Sequence, residues 1–350
     1  MPGNIGSSGG LHVAMVAPPW FTVPPDSYGG IEEVVAELTR ALIARGHQVT
    51  PIGAGDDGTA ATFLRTYDVP PSERLGESLP ELHHAAAAAE LLADLDVDVV
   101  HDHTLAGPLT AAGRSAPTVA TMHGPMDGEL GDYYRHLGKT VSLVAISDAQ
   151  RALAPDLNWV ATVYNGVDVA GFPFREAKED WVLFVGRFNP EKAPHLAVDA
   201  ARAAGRRIVL AGKVNEPAEV EYFEAAIRPR LGADVSYVGE VDATAKRELY
   251  AKAACLLFPV QWPEPFGMVM IEAMACGTPV VALDGGAVPE VVVDGVTGVV
   301  CATAEELPAA IAKADRLRPA ACRAHVAGQF DVSVMAEGYE QVYRRLQGYR

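Results

Sequence analysis

The chain of 350 residues is 49% hydrophobic, 21% charged and 7% aromatic, the composition of a globular protein with room for two domains of roughly 100–200 residues each. Its 45 Asp and Glu against 28 Lys and Arg leave a formal charge of −17, which excludes a broadly basic face for nucleic acid or anionic lipid. Any anionic ligand must therefore be held by a few placed groups.

No apolar run approaches the roughly 20 residues of a bilayer span, so an integral membrane protein is not expected. The opening is rich in Gly and Ser, and the apolar stretch after it is interrupted by His12 and closed by Pro18-Pro19, which is not the pattern of a signal peptide. Cys255, Cys276, Cys301 and Cys322 are too few and too far apart for a disulfide framework or a Cys-x-x-Cys metal site. They read as buried, reduced thiols, and the expected location is the cytoplasm.

Short β-branched runs alternate with amphipathic alanine-rich segments, the signature of parallel sheets with crossover helices. In the first half, strands are predicted at 11–17, 48–53, 97–101, 118–122, 141–146 and 160–163, with helices at 31–45, 82–95 and 148–153. A turn-rich stretch at 171–174 and a charged run at 175–180 form a linker. The alternation then restarts with strand 181–185, helix 193–204, strand 207–211, helix 218–231, strand 235–238 and helix 243–254. Strand 256–260, helix 268–275, strand 279–283 and a closing strand at 298–301 complete it. The fold class is α/β: two tandem doubly wound, Rossmann-like domains, residues 1–170 and 171–330. A last amphipathic helix, 332–346, does not reveal from its own residues where it docks.

The most informative segment runs from Glu264 to Val281. It places a strand end, a Pro/Gly-rich turn and a helix start in sequence, so the amides of Gly267, Met268 and Val269 should point out of the sheet's carboxyl edge, where an anion is stabilised by the helix dipole. Glu272 follows about one and a half turns later, roughly 7 Å along the axis at about 1.5 Å per residue, a suitable offset for the ribose of a nucleotide whose phosphates sit at the helix start. It lies in an apolar run, where a carboxylate needs a partner. Glu264, before the turn, would accept hydrogen bonds from sugar hydroxyls.

Upstream, Gly186 allows close backbone approach, and Arg187 and Lys192 supply two positive charges for a diphosphate leaving group. In the first half, Gly29-Gly30 opens a helix after Pro25-Asp26-Ser27-Tyr28 and allows backbone contact with a phosphate or sugar. The segment is neither Gly-x-Gly-x-x-Gly nor a P-loop, which counts against hydride transfer and ATP hydrolysis. His101-Asp102-His103 lacks an evident third ligand, so no metal is expected. His123, past an apolar strand and before Gly124, sits where a neutral imidazole can meet a sugar hydroxyl.

Together these segments resemble the GT-B glycosyltransferases, most closely the retaining family 4 enzymes that use nucleotide-sugar donors. The resemblance rests on Tyr28-Gly29-Gly30, Ala120-Thr121-Met122-His123, Tyr164-Asn165-Gly166-Val167-Asp168, Val185-Gly186-Arg187 with Lys192, and the two glutamates separated by seven residues, Glu264 and Glu272. It implies that Arg187 and Lys192 bind the donor diphosphate. Phe266, Gly267, Met268 and Val269 would line the phosphate and sugar pocket, Glu264 hold the transferred sugar, Glu272 the ribose and His123 the O6 side of the sugar.

The resemblance also assigns Val238-Gly239-Glu240 to the base, Gly30 to the phosphate from the other domain, and Tyr28 and Asn165 to the acceptor side. The last helix, 331–350, would cross back to the first domain. The family often has Gly directly after the lysine, where this chain has Ala193-Pro194. The implied donor is a UDP-sugar such as UDP-glucose, with no cofactor or essential metal. The acceptor is a soluble sugar, polyol or natural product, and the sequence does not choose among them. An epimerase or phosphorylase on the same architecture, or a nucleotide-sugar-binding protein without transfer activity, are the competing readings. Oligomeric state is not legible.

Overall fold

The computed structural model describes residues 9–25, 29–56 and 62–348. The first domain runs β1 (His12–Val16), α1 (Gly30–Ala44), β2 (Gln48–Ala54), β3 (Leu64–Tyr67), α2 (Ser78–Ala93), β4 (Val99–Asp102), β5 (Thr118–Thr121), α3 (Gly128–Leu137), β6 (Val141–Ala145), α4 (Asp148–Leu153) and β7 (Trp159–Thr162). After the linker, the second runs β8 (Trp181–Val185), α5 (Pro194–Ala203), β9 (Arg207–Ala211), α6 (Pro217–Tyr222), β10 (Val235–Tyr237), α7 (Ala243–Lys252), β11 (Leu256–Phe258), α8 (Met268–Ala275), β12 (Val280–Leu283), α9 (Val288–Val291), β13 (Gly298–Cys301), α10 (Leu307–Ala314) and α11 (Pro319–Gln329). Helix α12 (Val332–Leu346) ends the chain.

Both sheets are wholly parallel, with spatial orders β3-β2-β1-β4-β5-β6-β7 and β10-β9-β8-β11-β12-β13. Each order reverses direction beside its first strand, between β1 and β4 and between β8 and β11, and such switch points open a crevice at the strands' carboxyl ends. The strands are buried on both faces because helices cover both, which is why β1 reads His-Val-Ala-Met-Val without alternation. Helix α1 packs Val34, Leu38 and Leu42, spaced by one turn, into the same core as Val13 and Met15 of β1.

The structure adds elements that the sequence pattern did not show. β3 is a short, half-buried edge strand, Leu-Arg-Thr-Tyr, with no apolar face to announce it. Helices α3, α9, α10 and α11 were also not predicted, although α10 buries Leu307, Ala310, Ile311 and Ala314 at helical spacing. The helix predicted at 218–231 ends early: α6 passes through a π turn at Phe223–Ile227 and a tight turn at Arg228–Arg230. Pro229 lacks an amide and its ring clashes with the carbonyl four residues back, so the α-helical ladder cannot continue through it.

Asp331 caps α12, its side chain accepting from Ser333 N at 3.0 Å. The helix packs on the first domain, burying Met335, Ala336, Tyr339, Val342 and Tyr343 in the core that α1 and β1 share. Tyr343 Oη and His101 Nδ1 are 2.7 Å apart, His101 Nε2 and Thr121 Oγ1 are 2.7 Å apart, and Tyr339 Oη and Thr121 Oγ1 are 2.9 Å apart. His101 thus commits both ring nitrogens to docking this helix, and burial lowers its pKa to about 3, keeping it neutral. All four cysteines are buried and unpaired, with burial raising the thiols of Cys255 and Cys276 to about 12 and of Cys301 and Cys322 to about 11.

Beside His101, Asp102 is fully buried. It accepts from Thr104 N at 3.0 Å, from Thr104 Oγ1 at 2.7 Å and from Arg114 Nη2 at 2.9 Å. Removing the guanidinium leaves a buried carboxylate without its counter-charge, so Arg114→Ala should lower unfolding free energy by about 3–5 kcal/mol in a urea titration.

Candidate active site

The carboxyl edges of the two sheets face each other across a cleft of about 420 Å³. The first domain contributes Gly29 and Gly30 at the start of α1, Glu33 and Glu37 further along it, and the loop residues Gly166, Val167 and Asp168. The second contributes Gly186 and Arg187 after β8, Gly212 and Lys213 after β9, Glu240 and Val241 after β10, Lys246 and Arg247 on α7, and Met268, Val269 and Glu272 on α8.

Local sequence explains the two helix starts. Gly267 caps α8 at φ 85°, a left-handed conformation; a Cβ there would come within 2.7 Å of Met270 Cε and 3.0 Å of Phe258 Cζ. Only glycine makes this turn without strain, and the turn leaves the amides of Met268 and Val269 outside the helical ladder at the cleft wall. Gly29 caps α1 at φ 152°, where a Cβ would collide with Pro25. At Gly30 a Cβ would meet nothing within 4 Å, so the backbone is bare toward the cleft.

Glu272 is buried in the apolar helix and has the partners its setting requires. Lys246 Nζ lies 2.9 Å from Oε1, and Tyr250 donates to Oε2 at 2.8 Å. Burial and the carboxylate hold the Tyr250 pKa well above its ordinary value, so it remains a donor. Arg187 faces the cleft but is also engaged by acids, with Nε 2.6 Å from Glu219 and Nη2 2.7 Å from Glu216. Sequence reasoning did not find Lys246, Lys213 or Arg247. Lys246 and Arg247 sit in a polar helix whose own spacing carries no sign of the cleft, and Arg247 stacks 4.6 Å above the Phe172 ring.

Lys192, Glu264 and His123 lie outside the walls of this 420 Å³ space. Lys192 forms an ion pair with Glu264, just ahead of the α8 turn, where Glu264 Cγ lies 3.6 Å from the Cβ position of Gly267. Ala193 follows Lys192 at φ 50°, ψ 47°, fully buried and in left-handed geometry. The site therefore uses the conformation that glycine would adopt freely, at a cost of about 1–2 kcal/mol for alanine, while Pro194 fits the first position of α5. His123 is half-buried at the end of β5, with Nε2 2.9 Å from His103 Nδ1. Burial lowers its pKa to about 4, so it is a neutral imidazole at pH 7.

The structure places three further sets of expected residues as follows. The Phe266 ring does not line the cleft: it is buried in the second domain's core, 6.2 Å from Tyr164 and 5.9 Å from Phe330, because an apolar ring gains more from the core than from a polar cleft. Of the Val238-Gly239-Glu240 turn, Glu240 reaches the cleft wall with Val241, whereas Val238 is exposed and Gly239 instead receives Gly212 N on its carbonyl at 2.9 Å. Asn165 is buried beside the cleft residue Gly166, and its Oδ1 has no partner among the described residues. Tyr28 lies outside the described residues. Among those residues no three His, Cys, Asp or Glu side chains converge as a metal ion would require, and no helix is long and apolar enough to cross a membrane.

The family described as glycosyl transferases group 1 matches residues 172–323, and glycosyltransferase family 4 matches residues 28–170. The α-maltose-1-phosphate synthase of Mycolicibacterium smegmatis is 30% identical over 92% of this chain and 97% of its own length. The chain belongs to the family 4 glycosyltransferases of the GT-B fold. The glycogen synthase of Mycobacterium tuberculosis is 28% identical over 95% of this glycosyltransferase and 94% of its own length. A solved glycosyltransferase involved in avilamycin A biosynthesis is 30% identical, with a TM-score of 0.77 over 97% of this chain and 99% of that one.

One acid at the cleft end of α1 has an unusual charge state. Glu32 is buried in the first turn, and burial raises its pKa to about 7. A folded-state pKa above the unfolded value of 4.5 means that stability is lost as pH rises through about 7. Glu32→Gln, neutral at every pH, should be more stable than wild type by about 3 kcal/mol at pH 8–9, at about 1.4 kcal/mol per pKa unit, with the gap closing toward pH 4.5. Denaturant titrations across that range test it.

Proposed function

We propose that this glycosyltransferase transfers a hexose from a nucleotide-diphosphate sugar, UDP-glucose or a close relative, to a hydroxyl of a soluble acceptor, with retention of anomeric configuration and without an essential metal. The observation that carries the reading is the convergence of two helix N-termini, at Gly29-Gly30 and at Met268-Val269, with the cations Arg187, Lys213, Lys246 and Arg247 on one cleft that also holds a buried carboxylate, Glu272. Such a cleft fits a ligand with anionic phosphates in the middle and hydroxyl-rich ends. The names of two relatives, a glycogen synthase and an α-maltose-1-phosphate synthase, point to glucosyl units and support a glucosyl donor.

In this reading the amides of Met268 and Val269, with Arg187 and Lys192, stabilise the diphosphate as the bond from sugar C1 to phosphate oxygen breaks. The acceptor oxygen bonds to C1 from the same face, and its proton passes to the departing phosphate oxygen. Glu272 holds the ribose hydroxyls: Lys246 and Tyr250 each occupy one lone-pair site of its two oxygens and leave others to accept. Glu264 receives hydroxyls of the transferred sugar, and neutral His123 addresses the O6 side. The loop segments at 20–25, 104–108 and 125–135 of the first domain surround the acceptor.

Glu264→Ala and Lys192→Ala should each lower kcat by about 10²–10³ while leaving the thermal unfolding midpoint within a few degrees of wild type. Transfer at the wild-type rate by either variant removes these residues from the mechanism. A thermal-shift panel of nucleotide sugars should single out the donor, which at 100 times its Kd adds about 2.7 kcal/mol of stability. Product analysis then separates the alternatives: a new glycosidic bond supports transfer, an epimerised donor indicates an epimerase, and tight binding with neither hydrolysis nor transfer indicates a binding protein.

A further inference from the structure

We propose that Trp262 is a positioning residue for the Lys192–Glu264 pair, with its indole N–H holding one carboxylate oxygen of Glu264 and its ring face holding the Lys192 ammonium. The inference rests on the function proposed above and adds a residue to which that reading assigns no role.

The geometry begins with the backbone. Gln261 N donates to Glu191 O at 2.7 Å, zipping the loop after β11 onto the loop that carries Lys192. Glu264 N folds back onto Trp262 O at 2.8 Å, which brings side chains 262 and 264 together, and Ala287 N ties Glu264 O down from the other side at 2.9 Å. Glu264 also stands between Pro263 and Pro265, and a residue that precedes proline is restricted to extended conformations. The carboxylate therefore sits on a stiff loop.

Trp262 Nε1 then donates to Glu264 Oε2 at 2.8 Å, and the Lys192 ammonium pairs with the same oxygen. The ammonium also lies 5.3 Å from the indole ring centroid, within cation–π range. One side chain thus addresses both members of the pair: its edge holds the carboxylate and its face holds the ammonium. Both donors converge on Oε2, and among the described residues no hydrogen bond reaches Oε1. Trp262 consequently fixes which carboxylate oxygen remains to accept from a sugar hydroxyl, and it anchors the lysine while leaving ammonium protons for phosphate.

A group displaced by about 1 Å can lose about 10²-fold in rate. Trp262→Phe keeps a ring under Lys192 but removes the N–H. It should lower kcat by about 10- to 100-fold while the donor KM changes less than about threefold. Trp262→His, which restores an N–H donor on a smaller ring, should recover part of that loss. In a Glu264→Gln background, Trp262→Phe should have little further effect, because the group that the indole orients is already altered. A Trp262→Phe enzyme within twofold of wild-type kcat overturns the proposal. So does a loss that multiplies in full with Glu264→Gln, or one that tracks a lowered unfolding midpoint and is not recovered by Trp262→His. Should Glu264→Ala itself retain wild-type turnover, the assignment of Glu264 to the site fails instead, and that outcome is read independently of any Trp262 variant.

Discussion

In a parallel sheet every crossover helix starts at the carboxyl edge with amides that lack intrahelical partners, and in this protein two such edges point into one cleft. The starts of α1 and α8 are thereby offered to the same space. Each is held by a glycine whose backbone a side chain would distort, Gly29 and Gly267. Neither sheet alone encloses a ligand, so the arrangement depends on whatever holds the domains face to face.

Two features supply that hold. Helix α12 leaves the second domain beside the linker, where Val167 N bonds Phe330 O and Val332 N bonds Val167 O, each at 3.0 Å, and then packs its apolar stripe into the first domain. Glu290, on α9 of the second domain, accepts from Asp148 N and Ala149 N at the start of α4 in the first, each at 2.7 Å, and from Tyr164 Oη at 3.0 Å. A carboxylate of one domain thus caps a helix of the other, which is a directional bond as well as a charge interaction.

In this protein of formal charge −17 the cleft cations are paired with neighbouring acids, Arg187 with Glu216 and Glu219 and Lys246 with Glu272, and just outside the cleft walls Lys192 pairs with Glu264. These pairs hold the cations in set positions before any ligand arrives. Glu32 contributes in the opposite sense, since burial raises its carboxyl pKa to about 7 and so lessens the negative charge at this helix end near neutral pH.

Strands and helices with a strong apolar pattern were legible in the sequence: β1, β8, α8 and the amphipathic α12 fall where β-branched runs and helical spacing place them. So were Gly29-Gly30 and the turn before α8, because glycine at a helix start reflects a local backbone requirement. The edge strand β3 and the helix α3 were not legible, because their residues are half-exposed and their form is set by neighbours. The destination of Phe266, the protein partners of Glu272, and the roles of Lys246 and Trp262 were equally hidden. Each depends on contacts between segments far apart in the chain: Tyr164 and Phe330 around Phe266, α7 against α8, and the Lys192 loop against the loop after β11. By itself the sequence determined two parallel α/β domains and several of the acids, cations and glycines of the candidate site, since periodicity and turn chemistry are local. Only the tertiary structure decided which oxygen, which amide and which cation face the cleft, because that is set by packing between elements that no local pattern encodes.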